Sequence, residues 1–124
     1  MKEKDIALNY DFDVNKIPLK NTDIVIVMGN LLDNAIEAAK KCEEGKKYIN
    51  ITIKNINQFF ILKIKNSCVK KAVVKNERFI SDKLQKQKHG LGIESVKHII
   101  TSYNGEMSFL CDEEIFEVKI IINE

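Results

Sequence analysis

The stretch that most constrains this chain runs from Val27 to Lys41. Val27, Met28, Leu31, Leu32, Ala35, Ala38 and Ala39 recur at spacings of three and four, which stacks them as one apolar stripe of an α-helix. Asn30, Asn34, Glu37 and Lys41 recur at the same spacings and stack on another face. Two carboxamides one turn apart are unusual there, because an Asn side chain competes for backbone hydrogen bonds and weakens a helix. On an arbitrary helix such a stripe is a solvated face. A glycine-rich motif further along gives it a second meaning.

The helix is predicted to begin with Asn21 or Thr22 as its cap, with Asp23 in a first turn favoured by the dipole. It is predicted to run to about Cys42, where Glu43-Glu44-Gly45 stops it. Ile6, Leu8, Tyr10, Phe12 and Val14 alternate as a strand, followed by a loop over 16–20 that contains Pro18. Ile49, Ile51 and Ile53 alternate with Tyr48, Asn50, Thr52 and Lys54, a strand with one buried face. Asn57-Gln58 turns it into a hairpin partner over Phe59 to Lys65. From Asn66 to Lys88 the chain is rich in Lys, Asn, Gln and Ser, and reads as a lid over about 67–88 holding a short helical piece. His89-Gly90-Leu91-Gly92 then leads into a helix over Ile93 to Tyr103, ended by Asn104-Gly105. Glu106–Leu110 and Ile115–Ile122 close the chain as a hairpin.

This order predicts a single domain over residues 1–124, a two-layer α/β (α+β) sandwich with both helices on one face of a mixed, largely antiparallel sheet. The expected core is Ile24, Val27, Leu31, Ala35, Ile51, Ile53, Ile61, Ile64, Val96, Ile100, Phe109, Val118 and Ile120. A net charge of +2 and the absence of Trp argue against nucleic acid as a partner. No apolar run approaches the ~20 residues that a membrane span needs, and no signal peptide follows Met1. Cys42, Cys68 and Cys111 are odd in number and far apart, which argues against a disulfide framework or a metal knuckle and suits a reducing compartment. They read as small buried hydrophobes.

Gly90-Leu91-Gly92 opens a helix, where unpaired N–H groups and the positive helix end attract an anion. Two phosphate motifs are excluded. There is no G-x-x-x-x-G-K-[ST] run, and the segment before the glycines, Ser81 to Lys88, is no buried strand of a dinucleotide fold. An Asn-x-x-x-Asn helix, a hairpin ending in Lys65-Asn66-Ser67, a long lid, then Gly-x-Gly into a helix and a final hairpin together resemble the GHKL ATP-binding superfamily of gyrases, heat-shock chaperones, histidine kinases and MutL-type proteins. Gly29 to Ala38 looks like that family's N box, and Lys88 to Val96 like its second glycine box. Among the branches the N box looks most like that of quorum-sensing sensor kinases of the accessory-gene-regulator type.

The resemblance implies a site. Asn34 matches the family's Mg²⁺ ligand, a role suited to a hard amide oxygen. Asn30 stands where hydrolytic branches carry a water-activating Glu. An amide has no useful basicity, so the pair leans toward transfer to a protein rather than hydrolysis. Asn66 stands where most members have an Asp that accepts a hydrogen bond from the adenine amino group, and the following glycine is absent. Glu37, Lys41, His89, Gly90, Leu91 and Gly92 complete the nucleotide-binding set; Lys40, Lys86 and Lys88 could also reach phosphates. His98 reads as a partly buried structural residue. The resemblance further implies ATP and Mg²⁺ as cofactors. Its implied partners are a His-bearing dimerisation domain of the same kinase and a response regulator. It implies a cytoplasmic location for this domain within an integral membrane protein, without membrane insertion of the domain itself. Two alternatives share the fold: a protein serine kinase of the anti-sigma-factor type, and a degenerate module that binds a nucleotide or a partner without catalysis.

Overall fold

The computed structural model describes residues 6–69 and 92–123. Most of the expected lid, and with it His89, Gly90 and Leu91, lies outside the described residues. The elements are β1 (Ala7–Asp13), α1 (Asn21–Lys40), β2 (Tyr48–Ile56), β3 (Phe59–Ser67), α2 (Ile93–Ser102), β4 (Glu106–Cys111) and β5 (Ile115–Asn123). The strands form one sheet in the order β1-β2-β3-β5-β4. β1 and β2 are parallel, which requires a long crossover, and α1 supplies it. The remaining pairs are antiparallel. β2 and β3 are joined by a two-residue turn at Asn57-Gln58, with Asn57 at φ 59°, a conformation Asn tolerates better than most residues.

Both helices lie on one face of the sheet, α1 against β3 and β2, α2 against β4, and each helix against the other. The core forms between the layers. Val27, Leu31, Ala35 and Ala39 of α1 and Val96 and Ile100 of α2 meet Ile49, Ile51, Phe60, Leu62, Ile64, Val118, Ile120 and Ile122 of the sheet. Gly105 lets α2 turn back into β4 at close quarters: an added Cβ would stand 2.7 Å from Ile122 Cγ1 and 2.9 Å from Ile100 Cγ2. The left-handed residue of that turn is Asn104, at φ 61°.

Several expectations are corrected. The cap of α1 is Lys20, not Asn21 or Thr22, and no side chain next to it caps the helix. Tyr103, at the end of α2, reaches this terminus instead: its hydroxyl accepts from the Lys20 N–H at 3.0 Å and donates to Asp23 Oδ2 at 2.5 Å. Ile61 faces away from the helices, and Phe60 and Leu62 on either side of it fill the core. Ile24, Ile53 and Phe109 pack against the core but are only partly buried. His98 is exposed rather than structural. Of the three free cysteines only Cys68 is fully buried; Cys42 and Cys111 are half-buried. Ser67, expected to start the lid, is the last residue of β3.

Candidate functional site

The polar stripe of α1 has one fixed direction. Asp23, Asn30, Asn34, Glu37 and Lys41 lie on one flank by helical spacing. Asp23 is bonded to Tyr103 of α2, so that flank is the one turned toward α2. The opposite flank carries Val25, Met28, Leu32 and Ile36.

Along the polar flank the side chains differ in depth. Asn34 is 8% exposed, and its amide nitrogen is shut off from solvent. Asn30, one turn earlier, is half-buried and donates from Nδ2 to the Ile26 carbonyl at 2.9 Å. That bond to the preceding turn holds Asn30 against its own helix. Glu37 and Lys41 are exposed, and Lys41 is the C-cap residue.

Beneath α1, Asn66 belongs to β3, paired with Ile49 on one side and Phe116 on the other. Its residue face is that of Leu62 and Ile64, toward the helices. It is 2% exposed, so it is a buried strand residue rather than a turn residue. Asn66 Nδ2 donates to the Ser67 carbonyl at 2.8 Å. The amide oxygen is the one acceptor of this side chain, so it is the atom through which Asn66 can engage a ligand amino group. Ser67 has a structural task. Its Oγ accepts from the Tyr48 N–H at 3.0 Å and closes the end of the β2–β3 ladder.

Gly92, the last glycine of the downstream motif, is buried and forms the N-cap of α2. Its backbone is extended (φ −138°, ψ −157°), a conformation any residue adopts. Its carbonyl accepts the N–H of Ser95 at 3.1 Å and of Val96 at 3.3 Å. Among the described residues no side chain caps α2, and the first N–H groups of a helix can take a partner from outside it. His89, Gly90 and Leu91 of the predicted set fall outside the described residues.

Just past Asn66 the end of the sheet opens into a cavity of about 770 Å³. Cys42, Tyr48, Ser67, Cys68 and the turn over 112–115 line it. Sequence reasoning had no access to this cavity, because its walls come from three separate segments. Burial pushes the Cys68 thiol up to about 11, with Cys42, Cys111 and Glu114 adding to the effect. Burial likewise raises Tyr48. Both groups therefore stay neutral at physiological pH. Among the described residues no three His, Cys, Asp or Glu side chains are placed to hold a metal ion, and no helix is long and apolar enough to cross a membrane.

This architecture is shared with solved structures. The catalytic domain of histidine kinase ThkA superposes with a TM-score of 0.74 at 21% identity, over 98% of this chain and 80% of that one. The mycobacterial sensor histidine kinase MprB gives 0.69 at 13% identity, over 98% and 86%. The Acinetobacter baumannii histidine kinase AdeS gives 0.66 at 23% identity, over 94% of this chain but only 54% of that one, so the chain spans about half of that structure. No curated protein matches the sequence. The sequence profile of the GHKL domain matches residues 19–123, from the residue before the α1 cap to the last residue of β5. The chain belongs to the GHKL domain family.

Proposed function

We propose that this chain is the ATP-binding catalytic domain of a sensor histidine kinase. It binds Mg-ATP between the amide flank of α1, the end of β3 and the start of α2. It passes the γ-phosphoryl to a His on a dimerisation domain of the same kinase, from which a response regulator receives it. The membrane-bound, quorum-sensing type is the branch its N box fits.

The observation that carries this reading is the burial of two amides. Only three polar side chains are buried among the described residues: Asn34, Asn66 and Ser67. Ser67 is accounted for by Tyr48. A buried amide costs free energy that apolar packing would not. Asn34 and Asn66 stand at the two positions where a nucleotide needs an oxygen for its metal and an acceptor for its base. The donor set fits Mg²⁺ rather than a softer metal. An amide oxygen is a hard ligand, and Mg²⁺ keeps several waters and takes the rest of its shell from phosphates. Bound there, Mg²⁺ would neutralise phosphate charge. Asn34 would hold it, and Asn30, which has no basicity, would leave water unactivated. Gly92 and the first turn of α2 supply N–H donors for phosphate oxygens. Lys41 and Glu37 stand exposed at the rim, the former a cation for the phosphates.

The test is a thermal-shift and calorimetric titration with ATP, with and without Mg²⁺. Wild type should gain apparent stability with Mg-ATP, by about 2.7 kcal/mol at a hundred times Kd. In Asn34→Ala the Mg²⁺-dependent part should be lost while the fold survives. No response to ATP, with or without Mg²⁺, would remove the kinase reading and favour a degenerate partner-binding module. The isolated chain should not label itself from γ-labelled ATP. Acid-labile label on His89 or His98 would contradict the assignment of the acceptor to another domain.

A further inference from the structure

We infer that β1 is a homodimerisation edge: two copies of this chain pair their β1 strands antiparallel about a twofold axis at Tyr10, joining two five-stranded sheets into one. The inference stands apart from the nucleotide reading and does not depend on it.

Among the described residues β1 is the terminal strand of the sheet, paired on one side only. Its direction of pairing is fixed by the bond from the Ala7 N–H to the Lys47 carbonyl at 2.9 Å, in parallel register with Tyr48. In a parallel ladder alternate residues point their N–H and C=O at the neighbour. Ala7, Asn9, Asp11 and Asp13 therefore face β2, and Leu8, Tyr10 and Phe12 turn their backbone groups outward. Those three residues also carry the exposed apolar side chains: Leu8 is 57% exposed, Tyr10 66% and Phe12 53%. The Tyr10 and Phe12 rings already stack, with centroids 5.0 Å apart. The strand has no Lys and no Pro, two of the features that keep an edge from pairing; its charges, Asp11 and Asp13, lie on the face opposite the apolar row, and Asp11 is paired with Lys54 of β2.

The occupant is identified by the strand's own symmetry. With the axis at Tyr10, Tyr10 faces Tyr10 of the other copy and Leu8 faces Phe12. All three pairs so formed are hydrogen-bonded pairs, because each partner turns its backbone outward. On the other face Asn9 meets Asp11 and Ala7 meets Asp13. No carboxylate stands directly opposite another. In-register parallel pairing would set Asp11 against Asp11 and Asp13 against Asp13, which is repulsive. The apolar row thus matches itself in one orientation, and the charges exclude the other. The polar flank of α1 lies toward α2, away from β1, so the dimer leaves the candidate nucleotide site open.

Sedimentation equilibrium of the full 124-residue chain tests this. Mass should rise with concentration from 14.3 kDa toward twice that value. Tyr10→Lys places two ammonium groups on the axis and should weaken association by about tenfold or more. Circular dichroism should be unchanged, since Tyr10 contributes nothing to the core. Val25→Lys, exposed on α1, should leave association as in wild type. Register is read by mild oxidation of mixed chains. Asn9→Cys with Asp11→Cys should give a disulfide-linked heterodimer, and neither variant alone should cross-link beyond the wild-type background. A chain that stays monomeric to about 1 mM overturns the inference. So does a dimer indifferent to Tyr10→Lys, or one broken equally by Val25→Lys.

Discussion

Leu8, Tyr10 and Phe12 on β1 and Phe60, Leu62 and Ile64 on β3 belong to the same face of the same sheet, since the first trio pairs with Ile49, Ile51 and Ile53 of β2 and the second with Asn55, Ile53 and Ile51, alternate residues of one strand. The first three are more than half exposed; the last three are at most 1% exposed. Composition does not separate them, because both trios are large, apolar and rich in β-formers. What separates them is cover. α1 crosses over from β1 to β2 but packs on β3 and β2, so the strand it leaves is not the strand it shields. Alternation in a sequence says which residues share a face. Only topology says whether anything lies on that face.

The strongest way to break this contrast is a matched truncation. Phe60→Ala removes a ring that is 0% exposed and should cost about 3–5 kcal/mol by urea denaturation. Phe12→Ala, measured at a concentration too low for association, should cost under about 1 kcal/mol. Similar costs at the two sites would mean that β1 is covered in solution by part of its own chain.

Cysteine reactivity sharpens the same contrast through chemistry. Cys68 follows the central strand, is 4% exposed, and its thiol is pushed up to about 11 from 9.0, chiefly by burial. At pH 8 its thiolate fraction is then on the order of a hundredfold below that of an ordinary thiol. Cys68 should be the last of the three to react with a disulfide reagent, with Cys42, half-buried beyond α1, well ahead of it. The raised value also carries a sign for stability. The unfolded chain loses the Cys68 proton first, so between about pH 9 and 11 it binds fewer protons than the native state, and stability falls as pH rises. A denaturation series that flattens over this range in Cys68→Ala would tie the loss to this thiol; a wild-type series with no loss would refute it.

How far the sequence could be read follows the same line. β2, its turn at Asn57-Gln58 and the start of β3 were legible because strict alternation and turn chemistry are local signals. Phe59 to Leu62 is an unbroken apolar run, so the sequence carries no parity there, and Phe60 and Leu62 rather than Ile61 hold the inward positions. The cap of α1 was misread for a different reason. Its partner, Tyr103, lies 80 residues from Asp23, and nothing near Asn21 signals it. In the site, the amide stripe and Asn66 were found from spacing and motif, but their burial was not. Asn34 sits at the edge of the apolar stripe, and a helix that packs on the sheet while leaning toward a second helix draws that edge inward.

Glycines extend the comparison to single methyl groups. Gly105 has no room: a Cβ there meets Ile122 Cγ1 at 2.7 Å, Ile100 Cγ2 at 2.9 Å and the Ile121 carbonyl at 3.1 Å. Side chains can yield a little, but the carbonyl belongs to the central ladder of β5. Gly105→Ala should therefore cost about 1–3 kcal/mol, the range of an overpacked core. If it costs nothing, the turn from α2 into β4 is looser than its packing implies.

Gly29 is the reverse case, and the smallest effect. It lies inside α1 on the exposed side, and an added Cβ would meet nothing within 4 Å. Its φ is helical, so Ala adopts the conformation without strain. Replacing Gly by Ala in a helix interior removes excess backbone freedom from the unfolded chain, worth roughly 0.5–1 kcal/mol. Gly29→Ala should raise the urea midpoint without changing the slope, since no surface is newly buried. The same variant asks whether the glycine serves the site. It immediately precedes Asn30, whose amide is folded back on Ile26. If Gly29→Ala stabilises the chain and leaves Mg-ATP binding intact, the position is a spare methyl on an uncovered face, like those of β1. If it stabilises the chain but weakens nucleotide binding, the exposed side of α1 is covered in the loaded protein, and the missing Cβ is room kept for what covers it.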